Sequence, residues 1–226
     1  MKLLVLRPEP GASETAARAS EVGLEVVVAP LFSITPVAAE PVDPANYDAV
    51  LLTSANGARF APGGLTGLRC FAVGEATAAA ARAAGFAEVE TGPSDGEAAL
   101  EAVASSGARR VLHLCGRHHK LLSHPEVRLD RRIVYASDPV APPPRISGPA
   151  VALVHSPRAG ARLTEIAEDK GSILIAAISE AAAAAAGDGW RVKAVAGRPR
   201  DAALLELAVQ LCNHGRVTAR EAPDGL

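Results

Sequence analysis

Short apolar runs alternate with alanine-rich amphipathic segments along most of this chain. Residues 3–6 form a continuous apolar run typical of a buried parallel strand, and residues 25–29 predict a second strand. Between them, Ser13 is predicted to cap a helix that ends near Gly23. Further strands are predicted at residues 49–53, 70–73, 111–114, 151–155, 173–178 and 192–195, with helices that begin near Ala55, Glu75, Gly96, Pro157, Glu180 and Asp201. This alternation predicts an α/β fold of parallel sheets flanked by helices.

The second half of the chain repeats motifs of the first half. Residues 49–60 read AVLLTSANGARF and residues 151–163 read VALVHSPRAGARL, at an offset of 102 (151 − 49). Residues 71–77, FAVGEAT, are echoed by residues 176–182, AAISEAA, at an offset of 105 (176 − 71). An ordered repeat with so little drift predicts two similar lobes, and two lobes predict a cleft between them.

Two proline-rich segments interrupt the alternation. Residues 32–44 contain three prolines, and residues 133–149 contain five. Proline lacks a backbone N–H and stiffens the chain, so both segments are predicted to be connectors.

Composition and charge narrow the possible partners. The chain has 226 residues, which suits two small domains, and its 49% hydrophobic content is ample for packed cores. A net charge of −2 and only 3% aromatic residues disfavour nucleic acid and acidic membranes as partners. The apolar run at the start is too short for a secretory signal, and the three cysteines lack paired spacing. We therefore expect a cytoplasmic protein with reduced cysteines.

Polar and glycine residues follow several of the predicted strands. Ligands of open parallel sheets bind beyond the carboxyl ends of the strands, where helix starts also favour anions. The residues at these positions are Arg7, Thr53, Ser54, Gly74, Gly116, Ser156 and Ser179. They predict a ligand rich in carboxylates or phosphates. The alternative is that the three serines only cap helices.

The sequence lacks the motifs of several common kinds of enzyme chemistry. No Gly-x-Gly-x-x-Gly follows a strand and no glycine loop ends in Gly-Lys-Ser/Thr, so nicotinamide, flavin and ATP have no support. His155 directly precedes Ser156, and neighbouring side chains on a strand diverge, which disfavours a catalytic triad. The cluster His113, Cys115, His118, His119 and His124 fits no standard zinc spacing. We expect a solvated loop there and no bound metal.

Tyr135 lies in the second proline-rich segment and is one of two tyrosines. A tyrosine beside a cleft can donate a proton, whereas a single tyrosine elsewhere usually serves packing. Position alone leaves both roles open.

Taken together, five motifs resemble those of uroporphyrinogen-III synthase. They are Arg7-Pro8, residues 53–57 (TSANG), residues 73–77 (VGEAT), Val134-Tyr135 and residues 156–159 (SPRA). The resemblance covers roughly residues 3–211, and it depends on the order and spacing of motifs that are individually weak.

The resemblance implies two α/β lobes joined by a two-stranded connector, with the chain crossing between the lobes twice. Residues 1–35 and 140–226 then form the first lobe, and residues 36–139 form the second. It also implies catalysis without a cofactor, and we expect a monomer.

The activity implied is that of a cyclising lyase. Members of the family close the linear tetrapyrrole hydroxymethylbilane into uroporphyrinogen III, with ring D inverted, in haem biosynthesis. Every pyrrole of this substrate carries an acetate and a propionate, which suits a cleft lined by hydroxyls and helix starts.

Carried over residue by residue, the resemblance assigns substrate binding to both lobes. Tyr135 matches a tyrosine proposed to assist departure of the substrate hydroxyl. The binding residues are Thr53, Ser54, Asn56, Gly57, Gly74 and Thr77 in the second lobe, and Arg7, Ser156, Arg158 and Ser179 in the first. Where the family usually has a threonine-bearing turn, this chain has Ser179-Glu180-Ala181.

Two other functions fit a two-lobe α/β chain. One is a non-catalytic binding protein for a small anion, because hinged α/β lobes also describe solute receptors. The absence of an export signal disfavours it. The other is an enzyme that transfers phosphate or acts on nucleotide sugars, which the missing phosphate loops disfavour.

Overall fold

Strands and helices alternate in the computed structural model, which describes residues 1–93 and 95–220. The strands are β1 (Lys2–Val5), β2 (Val26–Val28), β3 (Phe32–Pro36), β4 (Ala49–Leu52), β5 (Arg69–Val73), β6 (Val89–Gly92), β7 (Arg110–Gly116), β8 (Arg128–Pro139), β9 (Ala150–Val154), β10 (Ile173–Ala177) and β11 (Val192–Val195). The α-helices are α1 (Gly11–Glu21), α2 (Ala55–Arg59), α3 (Glu75–Ala83), α4 (Gly96–Ser105), α5 (Pro157–Ile166), α6 (Glu180–Ala185) and α7 (Asp201–Arg220).

The chain divides into two compact units, each with its own sheet. The first unit comprises Met1–Ser33 and Asp138–Leu226, and the second comprises Ile34–Ser137. The sheet of the first unit has the order β11-β10-β9-β1-β2, and all of its pairs are parallel. The sheet of the second unit has the order β3-β8-β7-β4-β5-β6, in which the pairs from β8 to β6 are parallel.

The two units share one topology. The strand order β6-β5-β4-β7-β8 in the second unit corresponds to β11-β10-β9-β1-β2 in the first. In each unit the strand that carries the first repeated motif, β4 or β9, lies at the centre of the sheet. The predicted fold class of two similar parallel α/β lobes is confirmed.

The central strands are buried on both faces because helices cover both sides of each sheet. In the first unit, Leu3 and Val5 contact one hydrophobic cluster, whereas Leu4 and Leu6 contact the other. All four residues of β4 are buried as well. Burying a leucine or valine side chain stabilises a fold by about 1.5–3 kcal/mol, so these unbroken apolar runs determine which segments become central strands.

Capping hydroxyls start three of the helices at the predicted places. Ser54 caps α2, Ser156 caps α5 and Ser179 caps α6, each by accepting a backbone N–H in the first turn. The predicted cap at Ser13 is wrong, because α1 begins at Gly11. The Ser13 hydroxyl instead donates to Glu9 Oε1 over 2.8 Å.

The hydrophobic pattern did not predict two strands, β3 in the first proline-rich segment and β8, which begins at Arg128 and continues into the second. These strands are neighbours in the second sheet. The Val37 N–H donates to the Val134 carbonyl over 2.9 Å, and the Val140 N–H donates to the Leu31 carbonyl over 3.0 Å. β3 and β8 therefore pair antiparallel. The chain passes from one unit to the other within these two strands.

In the described part of the chain, no helix is long and apolar enough to cross a membrane. The three cysteines are buried and form no disulfide.

Candidate functional site

The second unit contains a cavity of about 290 Å³ at the carboxyl ends of its central strands. Its wall consists of Thr53, Ser54, Val73, Gly96, Gly116, His118, His119, Lys120, Leu122 and Tyr135. The cavity brings together four residues that the sequence singled out, Thr53, Ser54, Gly116 and Tyr135, although Tyr135 is 81 residues (135 − 54) beyond Ser54. A parallel sheet places such residues together because its strands end at one edge.

Tyr135 of β8 is held by residues at the end of β7 and by Phe60. A register shift between Cys115 and Gly116 brings Gly116 opposite Tyr135, and the Arg117 N–H donates to the Tyr135 carbonyl over 2.9 Å. The ring of Phe60 stacks on the Tyr135 ring at 6.3 Å between centroids. A Cβ at position 116 would lie 2.6 Å from Cζ of Tyr135, so the phenol ring occupies the space of a side chain.

His113 lies within hydrogen-bonding distance of the hydroxyl of Thr53. Its ring is fully buried on β7, and its Nε2 lies 2.9 Å from Thr53 Oγ1. Burial, and to a smaller extent the nearby His119 and Arg131, together lower the pKa of His113 to about 4. The imidazole is therefore neutral at neutral pH. Its Nδ1 has no hydrogen-bond partner among the described residues.

His119 lies in the loop after β7 and forms part of the cavity wall. Its Nδ1 is 2.8 Å from the Gly116 carbonyl oxygen. A carbonyl only accepts, so Nδ1 carries the proton and donates it. The opposite nitrogen, Nε2, is buried and has no partner within the described part of the chain.

Lys120 brings a positive charge to the cavity wall, but the charge is paired. Its Nζ lies 2.9 Å from Glu97 Oε1 on α4. The hydrogen bond to Glu97 and the attraction of that carboxylate raise the pKa of Lys120. Both side chains are mostly exposed, so this pair stabilises the fold little.

Four other predicted residues of the second unit lie outside the cavity wall. Asn56 accepts a hydrogen bond from Arg59 over 2.9 Å, and Thr77 is buried on α3. A Cβ on Gly57 would lie 2.7 Å from the Leu114 carbonyl oxygen, so this glycine lets α2 approach β7. Gly74 precedes α3 with a φ of 74°, which favours glycine. These residues shape the strand-end turns, and their role in binding stays a prediction.

The predicted residues of the first unit have partners of their own. Ser156 accepts the Ala159 N–H over 3.2 Å, and Ser179 accepts the Ala182 N–H over 3.3 Å. The Arg158 guanidinium lies 4.6 Å from the centroid of the Phe32 ring. Capping does not exclude a second, ligand-binding role, so binding by these residues also stays a prediction.

Asp201, at the start of α7, joins several strand-end residues of the first unit. It accepts hydrogen bonds from His155 over 2.8 Å, from Arg18 over 2.6 Å and from Thr15 over 3.0 Å. Arg7 also lies 3.3 Å from the same carboxylate. Burial would raise the pKa of Asp201, but the hydrogen bonds from His155 and Arg18 hold it well below its usual range.

The sequence patterns predicted neither this network nor the place of His118 and His119 in the cavity wall, and they did not identify His113 as the partner of Thr53. His155 points to Asp201 rather than to the capping Ser156, so no serine triad forms there. Within residues 1–93 and 95–220, no group of three or more histidine, cysteine or acidic side chains could hold a metal ion.

Comparison with protein families decides where this chain belongs. Residues 13–206 match the family model described as uroporphyrinogen-III synthase HemD. The chain belongs to the uroporphyrinogen-III synthase family. The match spans strands of both units and includes the whole cavity wall. Members of this family are cyclising lyases of haem biosynthesis.

Solved structures of the same family have the same fold. Uroporphyrinogen-III synthetase from Helicobacter pylori is 16% identical, with a TM-score of 0.63 over 93% of this chain and 98% of that one. A mutant uroporphyrinogen III synthase from Thermus thermophilus is 14% identical, with a TM-score of 0.51 over 95% and 99% of the two chains. At such low identity these likenesses establish the fold alone. A sequence comparison with curated proteins found no significant match.

Proposed function

We propose that this chain is a uroporphyrinogen-III synthase that closes hydroxymethylbilane with inversion of ring D and releases water. The observation that carries this proposal is the cavity at the carboxyl edge of the second sheet in a chain of this family. The cavity wall combines hydroxyl, phenol and imidazole groups, which can bind carboxylates and move protons.

The choice between the two isomers depends more on the conformation in which the substrate is held than on reactive side chains. Loss of the terminal hydroxyl as water creates an azafulvene, which the substituted carbon of ring D attacks to give a spiro intermediate. In water alone the chain closes at the free carbon, without inversion. An enzyme that holds the curled conformation changes this outcome by positioning, and correct positioning is worth about 7–11 kcal/mol of barrier in favourable cases.

Tyr135 is the proposed proton donor to the departing hydroxyl. Thr53 and Ser54 are the proposed ligands of a substrate carboxylate beside it. The remaining proposed binding residues are Asn56, Gly57, Gly74 and Thr77 in the second unit and Arg7, Ser156, Arg158 and Ser179 in the first.

The size of the cavity supports a contribution from both units. Pockets for drug-sized ligands measure about 300–1,000 Å³, whereas this cavity measures about 290 Å³. A substrate of four pyrroles with an acetate and a propionate on each exceeds that volume. The cavity therefore accommodates one part of the substrate, and we propose that strand-end loops of both units bind the rest.

Further parts of this proposal concern the state of the protein. We propose a cytoplasmic monomer that uses no cofactor and acts on hydroxymethylbilane as its small-molecule substrate. The proposed lobes are residues 1–35 with 140–226, and residues 36–139. The cleft that the sequence duplication predicts between them stays a prediction.

The test is a product assay with enzymatically made hydroxymethylbilane. The products are oxidised to porphyrins, and the type I and type III isomers are separated by chromatography. The proposal expects mainly isomer III with protein and isomer I without it. Isomer I alone, formed at the rate of the protein-free control, contradicts the proposal, and binding of hydroxymethylbilane without turnover then favours the non-catalytic binding protein.

A further inference from the structure

Two imidazoles lie next to each other at the cavity that contains Tyr135. The rings of His113 and His119 are 6.0 Å apart between centroids and nearly perpendicular, at 89°. His113 uses its Nε2 for Thr53, whereas His119 uses its Nδ1 for the Gly116 carbonyl. Only His119 belongs to the cavity wall.

The hydrogen bond to Gly116 determines the chemistry of His119. Because Nδ1 must carry a proton to donate to the carbonyl, the neutral ring has its lone pair on Nε2. This nitrogen is buried, and the described residues offer it no donor. A buried polar atom without a partner costs free energy and calls for an explanation, and the residue that carries this atom forms part of the cavity wall.

The groups around His119 leave it suited to act as a base. On its own loop, His118 is exposed and Lys120 is paired with Glu97 of α4. From the neighbouring strands, His113 of β7 and Arg131 and Tyr135 of β8 face this region. His113 is not a competing base near neutral pH, because burial keeps its pKa at about 4.

We propose that His119 is a further catalytic residue of this site and that its Nε2 accepts the proton that ring D loses on closure. This inference depends on the proposed function. In the spiro intermediate the bond from the substituted carbon of ring D to its original methylene neighbour breaks, which leaves that methylene as a new azafulvene. The free carbon of ring D then bonds to this methylene while it still carries its hydrogen. The C–H bond then breaks, its electron pair restores the aromatic pyrrole, and the proton forms the Nε2–H bond.

Tyr135 supplies the other proton transfer that balances the reaction. Tyr135 gives one proton to the hydroxyl that leaves as water, and His119 takes one proton from ring D. Transfer of that proton back to the phenolate returns both residues to their starting state. The sum is hydroxymethylbilane to uroporphyrinogen III plus water.

The informative substitution is His119→Asn. The asparagine amide nitrogen takes the place of Nδ1 and can still donate to the Gly116 carbonyl, whereas Nε2 is removed. We expect kcat for isomer III to fall about 100-fold, in the range lost with a general base, with little change in KM. The matched control is His124→Asn, on the same loop, which removes an imidazole paired with Glu101 outside the cavity. It should retain wild-type kcat.

The pH profile separates a base from a merely structural residue. A base must be neutral to act, so wild-type kcat should show a falling limb toward acid pH that His119→Asn lacks. Nitrogen NMR of histidine-labelled protein without substrate should show a neutral His119 protonated at Nδ1.

Each outcome decides a different point. A wild-type protein that makes no isomer III overturns the proposed function itself. This inference alone is overturned if the wild type makes isomer III and His119→Asn has a kcat within twofold of it and the same pH limb. It is also overturned if the neutral His119 is protonated at Nε2. If thermal unfolding shows that His119→Asn does not fold, His119→Gln is judged by the same kcat and pH limits.

Discussion

Gly116 and Tyr135 lie so close together that no side chain fits at position 116. A Cβ there would lie 2.6 Å from Cζ and 2.9 Å from the hydroxyl oxygen of Tyr135. Phe60 stacks against the tyrosine ring, so the ring has little room to move aside. The glycine thus sets the position of the proposed proton donor.

Gly116→Ala should therefore displace the phenol and lower kcat for isomer III by at least about tenfold, since a misplacement of about 1 Å can cost 100-fold. The strain should also lower the free energy of unfolding by about 1–3 kcal/mol. Gly63→Ala is the control, because a Cβ there meets nothing within 4 Å. Equal kcat for the two variants would contradict the positioning role of Gly116.

Tyr135→Phe removes only the hydroxyl. If Tyr135 donates a proton, kcat should fall by about 100-fold, the loss expected for a general acid. The matched control is Tyr47→Phe, whose hydroxyl lies 3.3 Å from Asp130 and outside the cavity. Steady-state kinetics measure both variants, and unchanged turnover in Tyr135→Phe would reduce this residue to a packing role.

His113 should make the protein sensitive to mild acid. Folding lowers its pKa from 6.5 to about 4, so the unfolded chain binds a proton at a pH where the folded chain does not. Stability is then complete above about pH 6.5 and is lost as the pH falls toward 4, by about 3 kcal/mol in total.

Urea unfolding of wild type and His113→Gln at pH 7 and pH 4.5 measures this effect. The variant should be less stable at pH 7, since it buries an amide beside Thr53, but it should lose less stability between the two pH values. His124→Gln controls for the loss of an imidazole elsewhere. A wild-type decline that persists undiminished in His113→Gln would exclude His113 as its source.

Asp201→Asn should destabilise the first unit. The substitution leaves Arg7, Arg18 and His155 around a neutral amide, and breaking partly buried charge pairs of this kind costs about 2–4 kcal/mol. Because folding lowers the pKa of Asp201, its contribution is present above the ordinary carboxylate pKa of 3.8 and is lost as the pH falls through the folded value.

Thermal unfolding at pH 7 compares this variant with Asp188→Asn, whose carboxylate is 97% exposed and paired with Lys193. We expect a clear loss for Asp201→Asn and almost none for Asp188→Asn. Equal unfolding temperatures would show that the network around Asp201 contributes nothing to stability.

The sequence predicted the central strands and most helix starts because local chemistry determines them. Apolar runs such as residues 49–52 suit only a strand buried on both faces, and a serine before an alanine-rich segment is a strong helix cap. The apolar pattern did not predict strand β8, because Arg128, Arg131 and Arg132 interrupt it. This segment forms a strand because it pairs with β3 and β7. Strand pairing depends on contacts between distant residues, which a local pattern does not contain.

The candidate site was predicted only in part for the same reason. Thr53 and Tyr135 were identified, whereas the histidines of residues 113–124 were predicted to form a solvated loop. His119 gains its role from the Gly116 carbonyl, and His113 gains its role from Thr53 on a neighbouring strand. A histidine inside the apolar run of residues 111–115 was the one signal that could have pointed to a buried imidazole.

The most direct measurement of the central claim is the initial rate of isomer III formation from hydroxymethylbilane as the protein concentration is raised. The proposed synthase activity predicts a rate proportional to protein, with isomer I falling as isomer III rises. A type III yield that stays at the protein-free background at every protein concentration would contradict it.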